Sequence, residues 1–298
     1  RRQMPVATAV LDGRWEFVLS HPKLLQVDGD RRIELTSANF IPNTYSHDSV
    51  AGGARHWDVV HIATTASYKR WPAFLQASDA MLRQDPRLRI VAVATSQDRN
   101  SLNELKQKAR PLKRYSGFSL RTVLPTAGSK GLPESEIRHV LRNSRVAVLF
   151  SRREGTSKIL SEAAMAGCLV VVDKRFAREC LTYPDAGHVR TFARNAEAPA
   201  VLLQAVSESA TYQANWNLLE SWYGESAALQ ILKERLEAIL SQEVSLDFPS
   251  NLRFRLPSHT TDQVAWQTSA DRGGATTDLV TSNDFLSFVN HLESLIPS

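Results

Sequence analysis

Residues 146–172 read Val146-Ala147-Val148-Leu149-Phe150-Ser151-Arg152-Arg153-Glu154-Gly155-Thr156-Ser157-Lys158-Ile159-Leu160-Ser161-Glu162-Ala163-Ala164-Met165-Ala166-Gly167-Cys168-Leu169-Val170-Val171-Val172. The first five form an uninterrupted apolar run, the pattern of a strand buried on both faces. Ile159, Leu160, Ala163 and Ala166 recur at helical spacing, Gly167 stops the helix, and Leu169 to Val172 make a second buried strand. The segment is therefore strand, tight turn, helix, strand. One carboxylate, Glu154, stands in the turn and another, Glu162, in the helix.

The expected chemistry follows from that arrangement. A helix N-terminus near Thr156 to Lys158 presents unpaired backbone N–H groups and a positive dipole end, a seat for phosphate. Gly155 removes a side chain where the backbone must approach a ligand. Glu162 is expected about six residues into the helix, roughly 9 Å along it. That is about the span of a diphosphate. Carboxylates at its two ends suit a sugar and a ribose, because both offer hydroxyl donors. The plain alternative is an ordinary βαβ unit with two solvated helix glutamates.

The stretch from Asn143 to Val172, with "NSRVAVLFSRREG" and "SEAAMAGCLVVV" flanking the two glutamates, resembles the E-x7-E region of retaining GT-B glycosyltransferases of the large family-four type. The resemblance implies that Glu154 contacts the donor sugar. It implies that Gly155, Thr156, Ser157 and Lys158 cradle the diphosphate, and that Glu162 binds the nucleotide ribose. Ser67-Tyr68-Lys69-Arg70-Trp71-Pro72 opens a helix after an earlier strand. Lys69 there resembles the family's phosphate-binding lysine, so Glu154 and Lys69 become the expected catalytic pair. The family's usual Arg about five residues earlier is Thr64 here, and Arg70 is the candidate replacement. Thr95-Ser96-Gln97 and Leu124-Pro125-Thr126 follow strands that line the donor pocket in such folds.

From Asp58 on, the pattern is regular. Strands are expected at Val59–Ala63, Leu88–Ala94, Ser119–Leu124, Val146–Phe150, Leu169–Val172 and Val189–Phe192. Helices are expected at Trp71–Gln84, Asn100–Lys108 and Pro133–Asn143, the last with Pro133 near its first position. Alternating strands and helices predict a Rossmann-like parallel sheet with helices on both faces, and ligands collecting outside the carboxyl ends of the strands. Before Asp58, Trp15–Leu19 and Ile33–Thr36 read as strands and Asn39–Asn43 as an extended connector. Ala196 to Leu240 reads as two or three helices whose Trp and Leu stripe is core. Asp284–Leu295 reads as a terminal helix. The expected domains are 1–57, an acceptor-domain remnant or linker; 58–240, the nucleotide-sugar donor domain with trailing helices; and 241–298, a C-terminal extension. An acceptor domain is short or missing on this reading, so it was lost, lies on another chain, or is replaced in part by the tail.

Composition narrows the class. The chain has 298 residues, a net charge of +5 and a pI of about 9.3. No apolar run of about 20 residues exists to form a spanning helix. The start lacks an initiator Met and the apolar core of a signal peptide, and reads as a processed or trimmed piece. Two cysteines, Cys168 and Cys180, fit a reducing compartment, with Cys168 a buried thiol. A cytoplasmic location, with peripheral association at the membrane, is the expectation. Lys106, Lys108, Arg110, Lys113 and Arg114 form the densest basic cluster, read as a solvated helix end. No aromatic residues interleave it as a nucleic-acid surface requires, so nucleic acid is disfavoured. The eight histidines show no metal spacing, and neither Asp-x-Asp, Gly-x-Ser-x-Gly nor a GxxxxGK[ST] loop occurs.

The expected function is therefore a metal-independent retaining glycosyltransferase, without a resident cofactor. It moves a sugar from a nucleotide-diphosphate donor to a glycan or lipid-linked acceptor, as in polysaccharide biosynthesis. The alternative is a non-catalytic nucleotide-sugar-binding or scaffold subunit that needs a partner domain or oligomer.

Overall fold

The structure is a computed structural model describing residues 7–11, 15–19, 32–33, 37–39, 41–45, 55–125, 132–151, 157–181, 183 and 185–240. The described chain falls into two compact units. One holds the described residues up to Pro42, Ser157–Lys158 and residues from Glu220 on; the other holds those of 43–153 and 159–219.

In the smaller unit, β1 (Ala7–Leu11) pairs antiparallel with β2 (Trp15–Leu19), placing Ala9 opposite Phe17. β1 was not expected, although Asp12-Gly13 after it is a hairpin signal in the sequence. β3 (Arg32–Ile33) joins β2 in parallel and is shorter than the strand expected at Ile33–Thr36, whose last three residues lie outside those described. Ile41 is tied by backbone hydrogen bonds to Tyr223 and Glu225, and Asn39 donates to the carbonyl of Trp222 at 2.8 Å.

In the larger unit the expected parallel α/β fold is present. Its strands are β4 (Trp57–Thr64), β5 (Ile90–Thr95), β6 (Phe118–Val123), β7 (Ser144–Leu149), β8 (Leu169–Asp173) and β9 (Val189–Phe192). They lie in the order β6-β5-β4-β7-β8-β9, every neighbouring pair parallel. The central strands are near-continuous apolar runs because helices cover both faces. Those helices are α1 (Trp71–Gln84), α2 (Arg99–Lys108), α3 (Glu134–Arg142), α4 (Lys158–Met165), α5 (Lys174–Cys180) and α6 (Ala198–Glu208); along the chain α7 (Trp216–Tyr223) comes next, and α8 (Glu225–Leu240) belongs to the smaller unit.

Local chemistry sets the helix limits. α1 buries Trp71, Phe74, Leu75, Ser78, Met81 and Leu82, one stripe at helical spacing. Asp98 caps α2, accepting from the N–H groups of Asn100 and Ser101, each at 2.9 Å. Pro133 is the N-cap of α3 rather than its first residue. α5 was not expected: Lys174, Arg175 and Arg178 hide its apolar spacing, and the Asp173 cap starts it. The Trp and Leu stripe after residue 196 is core only in part. Leu202 and Leu219 are buried, whereas Leu218 is 40% and Ile231 44% exposed. Adjacent helix positions point about 100° apart, so Leu218 and Leu219 cannot both face inward. The helix expected at Asp284–Leu295 lies outside the described residues.

Gly167 ends α4 as expected, with φ +75. A Cβ there would stand 2.7 Å from Arg55 Nη2 and 2.9 Å from the Trp216 ring. Arg55 donates to the carbonyls of Ser144 and Ala166 and approaches Cys168 Sγ, so it has little room to retreat. Gly167→Ala is expected to lower stability by about 2–4 kcal/mol, read by urea denaturation. A change below about 0.5 kcal/mol would mean the turn relaxes freely.

Candidate functional site

The sheet order reverses between β4 and β7, with β5 and β6 on one side and β8 and β9 on the other. A crevice forms outside the carboxyl ends of the strands at such a switch point, because crossovers on its two sides leave in opposite directions. The β4–β7 pairing ends at Val60↔Ala147, whereas β4–β5 continues to Thr64↔Thr95. Just past the Val60↔Ala147 pair, His61 Nδ1 meets the carbonyl oxygen of Val148 at 2.8 Å. A carbonyl can only accept, so Nδ1 carries the proton and Nε2 keeps a lone pair. Nε2 is buried and has no hydrogen-bond partner among the described residues. Phe74 stacks on the ring at 4.3 Å and Trp71 meets it edge-on at 4.6 Å. Among the described residues the His61 ring is therefore hydrogen-bonded at one nitrogen only. Burial, against the Val148 hydrogen bond and with help from the Lys69 charge, lowers its pKa to about 4.

Lys69 ends a short 3₁₀ turn, Ser67–Lys69, after β4. Only 5% of it is exposed. Burial lowers its pKa to about 8, and its ammonium lies 5.2 Å from the centre of the Tyr68 ring. It is not the surface lysine that an ordinary loop would carry. Arg70 follows in the left-handed conformation with φ 55, unusual for a side-chain-bearing residue. It is the hinge between the turn and α1. The carbonyl of Thr64, the position where the family resemblance calls for an Arg, accepts the Trp71 indole N–H at 2.7 Å.

Glu154, Gly155 and Thr156 lie outside the described residues. Ser157 precedes α4, is buried, and its Oγ has no hydrogen-bond partner among the described residues. Lys158 is the first residue of α4, so Glu162 is four residues in, about 6 Å along the axis rather than 9 Å. The difference arises because Ser157 is not helical. Glu162 is 5% exposed, and its Oε1 accepts the Tyr45 hydroxyl at 3.2 Å. Burial first, then the Glu162 charge, pushes the phenol well above its usual range, so it stays protonated. Tyr45 was not expected at the site, because it lies beyond the connector read at Asn39–Asn43, where no element was assigned, and meets Glu162 across 117 residues.

Other expectations resolve simply. The basic cluster from Lys106 to Arg114 is exposed, with Lys108 paired to Glu104 and Arg114 to Asp79. Cys168 is a buried free thiol whose pKa burial raises to about 11. Among the described residues no helix is long and apolar enough to cross a membrane.

No protein-family model matches this sequence, and no curated protein matches it significantly. Solved structures do. A glycosyltransferase from Rickettsia africae ESF-5 is similar at 12% identity and a TM-score of 0.56, over 73% of this chain and 60% of that one. The pneumococcal O-GlcNAc transferase GtfA, in complex with UDP and GlcNAc, aligns at 13% identity and 0.49, over 71% of this chain and 40% of that one. Anabaena HepE, in complex with UDP and glucose, aligns at 16% and 0.49, over 67% and 56%. The chain thus spans roughly half the length of these structures. At 12% identity, the likeness to the Rickettsia protein establishes the fold, the α/β architecture of GT-B glycosyltransferases.

Proposed function

We propose that this chain is a retaining, nucleotide-sugar-dependent glycosyltransferase of GT-B type whose parallel-sheet unit binds the donor. One observation carries the reading. A buried lysine follows β4 and a buried glutamate sits on the helix after β7, the two strands that flank the switch point. A buried ammonium at the strand ends of a switch point is suited to meet the charge of a diphosphate there. In this reading Lys69 neutralises charge that develops on the leaving diphosphate. Arg70 and the Gly155–Lys158 turn hold the same group. Glu154 accepts from the donor sugar and Glu162 from the ribose. The leaving phosphate oxygen takes the acceptor's proton, so no protein nucleophile is needed. With cationic and backbone donors for the diphosphate, the reaction is proposed to run without metal or cofactor. The acceptor is a glycan or lipid-linked sugar, met in the cytoplasm at the membrane surface.

Thr64 in place of the family's Arg favours a second reading, a nucleotide-sugar-binding subunit that needs a partner for turnover. Turnover by the isolated chain on any acceptor excludes it.

The first test is thermal shift with UDP, GDP, ADP and TDP on wild type and Glu162→Gln. At about one hundred times Kd a ligand adds roughly 2.7 kcal/mol, a shift of several degrees. One nucleotide is expected to shift the wild type, with affinity reduced about tenfold or more in the variant. No shift with any of the four would sink the donor-site assignment.

A further inference from the structure

Resting on that donor-site reading, we infer that Tyr45 is a positioning residue: its hydroxyl orients the Glu162 carboxylate for the ribose hydroxyls, and so sets the preference for ribonucleotides over nucleotides lacking them. The contact is Tyr45 Oη–H donating to Glu162 Oε1 at 3.2 Å, with Tyr45 1% exposed. A glutamate has three side-chain torsions, and ordering them at the moment of binding weakens binding. A hydrogen bond from a fixed phenol removes that freedom beforehand.

The phenol is itself held. The turn Asn43–Tyr45 is gripped from α3, where Arg138 Nη1 donates to Thr44 Oγ1 and Arg142 Nη2 to the Thr44 carbonyl, both at 2.7 Å. A chain of contacts thus runs from α3 through Thr44 and Tyr45 to the carboxylate on α4. The choice of donor is informative. A cation would neutralise Glu162 and weaken it as an acceptor. A neutral phenol orients the carboxylate without itself cancelling its charge.

The test is isothermal titration of the full chain with UDP, GDP and ADP, and with the dideoxy analogue of whichever binds, which lacks both ribose hydroxyls. Tyr45→Phe is expected to lose about tenfold in affinity for the ribonucleotide and nothing for the dideoxy analogue. Arg138→Ala combined with Arg142→Ala is expected to shift the same ratio by a smaller factor, and carries the test if Tyr45→Phe does not fold. Equal losses for both nucleotides would overturn the inference in favour of a structural contact. A gain in ribonucleotide affinity would overturn it too, since the phenol would then be competing with the ribose. If wild type and Glu162→Gln bind the ribonucleotide equally, or no nucleotide binds, the donor-site reading itself fails and this inference falls with it.

Discussion

Replacing Lys69 with Met is expected to make the protein more stable and weaken its hold on a nucleotide diphosphate. The two effects have opposite signs because they share one cause. Burial lowers the Lys69 pKa from 10.5 to about 8, so at pH 7 the folded chain carries an ammonium that the unfolded chain would hold more comfortably. The shift corresponds to about 3 kcal/mol of stability forgone at neutral pH. Met keeps most of the apolar stem and removes the charge. The expected gain is about 1–3 kcal/mol, or roughly 5 °C in Tm for a unit of this size. The pH dependence gives an independent check. A depressed lysine pKa withholds stability below about 8 and returns it as pH rises toward 10.5, so the variant's advantage should shrink across that window. Diphosphate affinity should fall about tenfold to a hundredfold through the lost charge-assisted contact. A lower Tm with unchanged nucleotide binding would show that Lys69 is a structural residue instead.

The second large effect concerns acid. His61 and His188 are both buried, and burial first of all lowers each from 6.5 to about 4. Their unfolded forms bind protons at a pH where the folded forms do not. The stability they carry is therefore complete above about pH 6.5 and drains away as pH falls toward 4. Each contributes about 3 kcal/mol across that window, and the pair together about 6, a large share of a typical domain's stability. Urea denaturation at pH 7, 5.5 and 4 reads the loss directly. Surface carboxylates add an acid response of their own, so His61→Phe is the control. It keeps an aromatic ring against Phe74 and Trp71, gives up the Val148 hydrogen bond, and should lower stability at pH 7 while removing about half of the decline. A decline unaltered by His61→Phe would mean that this imidazole is reachable by solvent protons in the folded chain.

Much of the fold was legible in the sequence because local rules dominate it. The helix expected at Trp71–Gln84 and the strand at Val189–Phe192 have those bounds in the structure, the helix marked by an apolar stripe at helical spacing. Most other elements of the sheet unit differ by a residue or two at their ends. α5 was hidden because its polar residues obscure a short apolar stripe that only packing on β8 and β9 reveals. At the site, the positions of Lys69 and Glu162 after adjacent strands were readable from spacing. Their state was not.

Alternation of apolar strands and amphipathic helices is a property of neighbouring residues, so the sequence by itself determined the parallel layered sheet and the strand ends where a ligand would collect. Which strands lie side by side, and hence where the order reverses, was settled by packing. So were the burial that depresses Lys69, the burial of His61 Nε2, and the hydrogen bond from Tyr45 to Glu162. Each depends on groups brought together from distant positions, up to 117 residues apart in the last case, and desolvation and pairing at that range leave no local pattern to read.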